Sequence, residues 1–144
     1  MRIDRTRLNA ISFPDIARVQ TRFYDVDVQG HVNNTASVII LQEARASFNV
    51  MTRMQEYLNP IRVLVASLTV EFAAELYHGA PIEVGTGVLS VGRTSVRLGQ
   101  VARQDGIPSL YAETVMVFTN IHGPTLIPTG LRETYCNMLA DSIA

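Results

Sequence analysis

The chain reads as an α+β protein in which one antiparallel sheet curls around a single long helix. Three features predict this. From about Asn34 to Tyr57 there is neither proline nor glycine, and apolar residues recur at helical spacing. One strand-like stretch precedes that helix and four follow it, with no second convincing helix among them. Strands that come in a run, rather than alternating with helices, point to an antiparallel sheet packed on a helix.

Residues 1–17 carry Pro14 and mixed polarity, and read as a lead-in segment. Arg18 to Tyr24 sets Val19, Thr21 and Phe23 against Arg18, Gln20 and Arg22, the period of a half-buried strand. A polar loop follows. In the helix, Ala36, Ile40, Ala44, Ser47, Phe48 and Met51 fall at helical spacing, with Gln42, Glu43, Arg45, Arg53 and Glu56 elsewhere. Its middle turn, Val38 to Leu41, is apolar all round, which predicts burial on every side. Asn59-Pro60 stops it. Strands are expected over about Val63–Phe72, Ile82–Ser90, Ser95–Arg103 and Leu110–Thr119, each rich in Val, Leu, Thr or Tyr. The breaks between them are Tyr77–Pro81, Val91–Thr94 and Gln104–Pro108, the last two short enough for hairpins. Thr129 to Ala140, after Pro128, reads as a short terminal helix. No repeat, low-complexity tract or linker interrupts this order, so residues 1–144 are expected to form a single domain. A sheet wrapped on one helix leaves edges and an open face, which predicts pairing with a second copy as a homodimer or homotetramer.

The bulk numbers narrow the function class. A hydrophobic fraction of 47% suits a globular core. A net charge of -1 gives no electrostatic reason to expect a nucleic-acid partner. The single cysteine, Cys136, excludes an internal disulfide framework and reads as a small packed side chain. The first residues are charged and no apolar signal region follows them, and no apolar run reaches the ~20 residues of a membrane span. A soluble, cytoplasmic protein is expected, without membrane association.

Chemistry concentrates in Arg22 to Asn34, which gathers two carboxylates, an imidazole and two amides around one glycine. Asp25 and Asp27 point to the same side if the segment is extended. Gly30 permits a turn that a larger residue would resist. Asn33 or Asn34 can cap the helix that follows. A polar cluster at a helix N-terminus is a place where negative charge can be generated and held. Asp25 reads as structural, tying the turn together through Asx-type bonds. Glu43 and Arg45 read as a structural ion pair or as helix-face charges, and Arg97 and Arg103 as strand-surface charges. His78 and His122 lie far from His31 in sequence, and no spacing resembles a metal site, so no metal is expected. No Gly-x-Ser-x-Gly elbow, zinc motif or phosphate loop is present in the sequence.

The order of elements and this loop together resemble the hotdog fold, and in particular the acyl-CoA thioesterases similar to 4-hydroxybenzoyl-CoA thioesterase. The resemblance covers about residues 17 to 138. It is carried by Asp25-Val-Asp27, by Gly30-His-Val-Asn-Asn34 and by Glu43-Ala-Arg45, with a weaker echo in Val70 to Glu83. The resemblance implies a catalytic carboxylate at Asp27, a histidine partner at His31, and a backbone N–H at Asn34 that polarises the thioester carbonyl. Asp27 would act as general base for water or attack directly as a nucleophile. Two departures stand out. Related plant thioesterases carry Asn two residues after the catalytic Asp, where this chain has Gln29. Many members carry an aromatic three residues after the second Asn, where this chain has Ser37, so the acyl pocket near that turn is expected to be reshaped.

The implied substrate is an acyl-CoA thioester, and no separate cofactor is expected because coenzyme A is part of that substrate. Its phosphates need cations or backbone amides. Arg93, Thr94 and Ser95, at a hairpin where the family often contacts the nucleotide end, are the candidate contacts. Two other functions fit a similar frame. A hotdog enoyl-CoA hydratase or dehydratase usually shows a longer Asp-to-His interval than Asp27 to His31. A non-catalytic acyl-thioester binding module would not need so nearly complete a catalytic set.

Overall fold

The computed structural model describes residues 2–143. Three helices, α1 (Arg5–Ala10), α2 (Asn34–Met51) and α3 (Thr129–Ile143), accompany six strands. The strands are β1 (Asp15–Val19), β2 (Arg62–Phe72), β3 (Ile82–Val91), β4 (Ser95–Gln104), β5 (Ile107–Asn120) and β6 (Gly123–Pro124). They form one antiparallel sheet in the order β1-β3-β4-β5-β2, with β6 folded back on β5.

Alternation along the strands divides the sheet into two faces. The inner face carries Val96, Leu98 and Ala102 of β4 with Leu110, Ala112, Met116 and Phe118 of β5, all packed in the clusters that hold α2 and α3. Ala36, Ile40, Leu41, Ala44 and Phe48 supply the apolar stripe of α2 that meets them. Gln100, fully buried in the middle of β4, donates from Nε2 to the Leu41 carbonyl and to Thr86 Oγ1, each at 3.0 Å. That bond fixes the height of the helix over the sheet, because a buried amide left unpaired would cost about 1–3 kcal/mol.

The outer face is partly covered by the lead-in segment. The short helix α1 buries Leu8 against Leu89, and Phe13 lies over Gly85 and Gly87 of β3. Arg7 donates from Nη2 to the Leu89 carbonyl at 2.6 Å, next to the register shift between Val88 and Ser90, where that carbonyl bulges out of the ladder. Glu71 on β2 receives the Ile3 amide at 2.6 Å and pairs with Arg5 at 3.0 Å, so the chain start is anchored to the far edge of the sheet.

Several boundaries differ from the sequence expectation. The first strand runs over Asp15–Val19, not Arg18–Tyr24. Phe23 to Asp25 instead forms a 3-10 turn that leaves Phe23 and Tyr24 exposed, because the Asp25 carboxylate captures the Arg22 amide. The helix stops at Met51, earlier than Tyr57. Arg53 takes a left-handed φ of 59° there, and a separate 3-10 turn, Met54–Tyr57, follows. Burial of α2 on every side does not hold within one chain, since Ile39 is 39% exposed and Gln42 and Glu43 face out. Glu43 and Arg45 form no ion pair. Two residues apart on a helix they face different ways, and Arg45 turns inward, where burial pushes its guanidinium down from the usual value.

The later strands fall where their composition put them. The β4–β5 turn is tighter than expected. Asp105 and Gly106 both take positive φ, the two-residue primed hairpin, and β5 passes through Pro108 opposite Arg103. β2 ends opposite Leu110, so no ladder there needs the amide that proline lacks. β2 is itself an edge, with Leu64, Val65 and Phe72 about half exposed. None of the helices is long and apolar enough to cross a membrane.

A β-carbon at Gly85 would sit 2.5 Å from the Phe13 ring. Gly85→Ala should therefore lift the lead-in segment and cost about 1–3 kcal/mol in chemical denaturation. An unchanged midpoint would mean that the segment does not contribute to the stability of the sheet.

Candidate active site

The polar loop is built on two carboxylates with opposite fates. Asp25 is buried, with its side chain 8% exposed. Its Oδ2 accepts the Arg22 amide at 2.7 Å and its Oδ1 accepts Arg22 Nη2 at 3.2 Å. Burial pushes this carboxyl up, but the Arg22 amide and guanidinium together outweigh it and hold the group below the usual carboxylate range. Asp25 is thus the structural residue, as its place in the sequence suggested.

Asp27 is exposed and closes the next turn. Its amide donates to the His31 carbonyl at 2.8 Å, and its own carbonyl accepts the Gly30 amide at 3.1 Å. Its Oδ1 accepts the amides of Gln29 at 2.8 Å and His31 at 3.1 Å. Gly30 sits at φ 82°, a conformation that side chains with a β-carbon resist. Oδ2 accepts no hydrogen bond from the described residues, so one carboxylate oxygen is fixed and the other is open.

The N-terminus of α2 can be accounted for amide by amide. A helix starts with four N–H groups that have no intrahelical partner. The Asn33 amide donates to the Asp25 carbonyl at 2.8 Å, and the Ala36 amide donates to Asn33 Oδ1, also at 2.8 Å. The amides of Asn34 and Thr35 take no acceptor among the described residues. Asn33 is therefore the cap, Asn34 is the first helical residue, and two donors remain open at the positive end of the helix dipole.

Asp27 and Asn34 border a cavity of about 340 Å³ between the loop, the start of α2 and the chain leaving β2. Asp27, Gln29, His31, Val32, Asn34 and Ser37 form one wall, and Phe72 to Leu76 with Leu110 form the other. The three candidate residues Asp27, His31 and Asn34 thus share one cavity. Ser37, in place of a larger side chain, lies on its wall.

Sequence reasoning missed the opposite wall. An antiparallel bridge joins His31 to Tyr77, and the Val32 amide donates to the Leu76 carbonyl at 2.8 Å. This brings Glu75 Oε1 to 3.1 Å from His31 Nδ1. Tyr77 packs edge-on against the imidazole with ring centroids 4.9 Å apart, and its hydroxyl donates to Glu75 Oε2 at 3.1 Å. That bond and the carboxylate charge push the Tyr77 phenol up, so it remains a donor. The only signal in the sequence was an acidic residue in the turn after β2, which has no distinctive spacing.

Arg93, Thr94 and Ser95 are not brought to this cavity within one chain. They form the β3–β4 hairpin, and Ser95 lies seven residues along β4 from Ala102, the partner of Leu110 in the cavity wall. At ~3.3 Å per residue this is about 23 Å. Among the described residues, no three His, Cys, Asp or Glu side chains are grouped to hold a metal.

Residues 21–134 match the profile of the thioesterase-like superfamily. A thioesterase from Thermus thermophilus, solved with coenzyme A and Zn, is 26% identical, with 89% of this chain and 96% of that one covered and a TM-score of 0.79. A predicted thioesterase from Bacillus stearothermophilus is 21% identical over 87% of this chain and 96% of its own, at a TM-score of 0.78. The Staphylococcus aureus protein SAV2348, solved in complex with CoA, shares 14% identity and has a TM-score of 0.83, with 92% and 87% covered. No curated protein matches the chain in sequence. With these likenesses, the sheet wrapped on α2 is the hotdog fold.

Because Asp25 titrates below the usual range, its contribution to stability is full above the unfolded value of about 3.9 and fades as pH falls through the lower folded value. Asp25→Asn should cost about 1–3 kcal/mol at pH 7, the value of a buried, charge-assisted bond. The gap from wild type should close below about pH 4 in denaturant titrations.

Proposed function

This chain belongs to the thioesterase-like superfamily, and from that membership we propose that it hydrolyses an acyl-CoA thioester to a free acid and CoA. The observation that carries this reading is one cavity lined both by Asp27, whose Oδ2 is open, and by Asn34, the first helical residue, whose amide is open.

The proposed chemistry follows from those groups. A thioester carbonyl is electrophilic and a thiolate leaves readily, so no serine relay is needed. As general base, Asp27 Oδ2 takes a proton from water while the water oxygen bonds to the carbonyl carbon. The carbonyl electron pair moves onto oxygen, where the Asn34 amide receives it. Collapse restores the carbonyl, breaks the C–S bond and releases the thiolate, which recovers the proton. As nucleophile, the same oxygen would bond to the carbon, expel the thiolate and leave a mixed anhydride for water to cleave. Label found in Asp27 after a single turnover in ¹⁸O-water selects the second route, with water cleaving the anhydride at the aspartyl carbon. His31, on the same wall, is the group proposed to orient the water or the carbonyl.

Arg93, Thr94 and Ser95 remain the proposed contacts for the CoA phosphates. They lie at the opposite end of β4 from the cavity in one chain, and a second copy is proposed to present them. A homodimer or homotetramer is accordingly part of this proposal, and the half-exposed β2 edge supports it.

Asp27→Ala should lower thiol release from a panel of short, long and aromatic acyl-CoAs by about 10²–10⁴-fold. Equal rates in the two proteins would reject Asp27 as the catalyst. Asn34→Pro removes one amide donor at a position where proline is compatible with a helix start, after a residue already at ψ 163°. It should lower kcat by about 10²–10³-fold with little change in thermal stability. Full activity in that variant would exclude the Asn34 amide as an oxyanion donor.

A further inference from the structure

We propose that Glu75 is a positioning residue of this cavity: with Tyr77 it grips the His31 imidazole at Nδ1 and leaves Nε2 as the nitrogen that meets the acyl thioester or its water. The inference rests on the hydrolytic reading above and adds to it a residue on the opposite wall.

The geometry carries it. The imidazole has two nitrogens, and Glu75 Oε1 stands 3.1 Å from Nδ1. Nε2 has no partner among the described residues. Tyr77 blocks one side of the ring edge-on and holds the second Glu75 oxygen, so the carboxylate is itself fixed at both ends. The backbone bridge between His31 and Tyr77 sets the spacing of the two segments, so the contact does not depend on two freely moving side chains.

Magnitudes distinguish positioning from stability. The Glu75 side chain is 58% exposed and that of His31 is 24% exposed. An ion pair so open to solvent adds about 0–1 kcal/mol to folding at most. Orientation is different, because a misplaced catalytic group costs rate without costing fold. The groups facing the ring are few. Asp27 approaches from its own loop, with Oδ1 held by the His31 amide, and Glu75 and Tyr77 approach from the segment after β2. The start of α2 presents neutral Asn34 and Ser37 and the positive end of its dipole.

The test compares Glu75→Gln with wild type, alone and in a His31→Gln background. Gln keeps the shape and removes the charge. The expected result is a kcat about tenfold lower, the scale lost when a partner that orients a histidine is removed, with KM and thermal midpoint little changed. In the His31→Gln background the same substitution should have no further effect. Wild-type kcat in Glu75→Gln, or an equal loss in both backgrounds, would overturn the proposal. The ring-nitrogen chemical shifts of His31, followed by NMR and assigned with the His31 variant, report which nitrogen carries the proton in the neutral ring and so read the grip at Nδ1 independently of turnover. A protein that releases no thiol from any acyl-CoA would reject the hydrolytic reading. The grip is then judged on those shifts, where loss of the Nδ1-protonated form in Glu75→Gln upholds it and an unchanged tautomer overturns it.

Discussion

Asn33 joins the loop to the helix through its amide, its side chain and its carbonyl, and the arrangement of the site follows from these bonds. Its amide reaches back to the Asp25 carbonyl, its side chain caps the Ala36 amide, and its carbonyl accepts the Ser37 amide that begins the helical ladder. Two of the four orphan amides are consumed in this way and two are left for something else. The same bonds fix where Asp27 stands, because Asp25 and the Val26–Val32 bridge hold both ends of the intervening turn. The helix start and the exposed carboxylate therefore form one rigid unit.

The sheet supplies the other half of the frame. Gln100 holds the middle of α2 at a fixed height, and the clusters on either side of it leave the helix little room to slide. The N-terminus of α2 consequently faces the point where β2 gives way to the Ala73–Leu76 segment. That segment is tethered in turn: the Ala73 and Ala74 amides donate to the Ser109 carbonyl, and Gln104 receives the Tyr77 amide and donates to its carbonyl. Glu75 thus protrudes from a connection that is pinned on both sides, which is why a turn residue can serve as a fixed point.

Local signals carried much of this into the sequence. The four later strands were legible because their β-branched and aromatic runs sit between clear breaks, and the helix because no breaker interrupts it. The Asp27, His31 and Asn34 set was legible because all three lie within one short loop, so chain connectivity alone brings them together. Features set by distant partners were not. Helix α1 buries only Leu8, against strands some eighty or more residues away, and its six residues show no periodicity of their own. The alternation from Arg18 to Tyr24 was real but lost to the capture of the Arg22 amide by Asp25. Glu75 needed the bridge between His31 and Tyr77, which no local pattern announces.

Phe72 has two surroundings at once. It lines the cavity beside Leu110, and it is half exposed at the end of the edge strand β2. A body laid along that edge would meet the cavity through this one ring, and an occupant of the cavity would meet the edge through it in return. Thermodynamic reciprocity then requires that filling the one and covering the other strengthen or weaken each other by the same factor. Under the proposed function, self-association along this edge and occupancy of the cavity would therefore be linked at this residue.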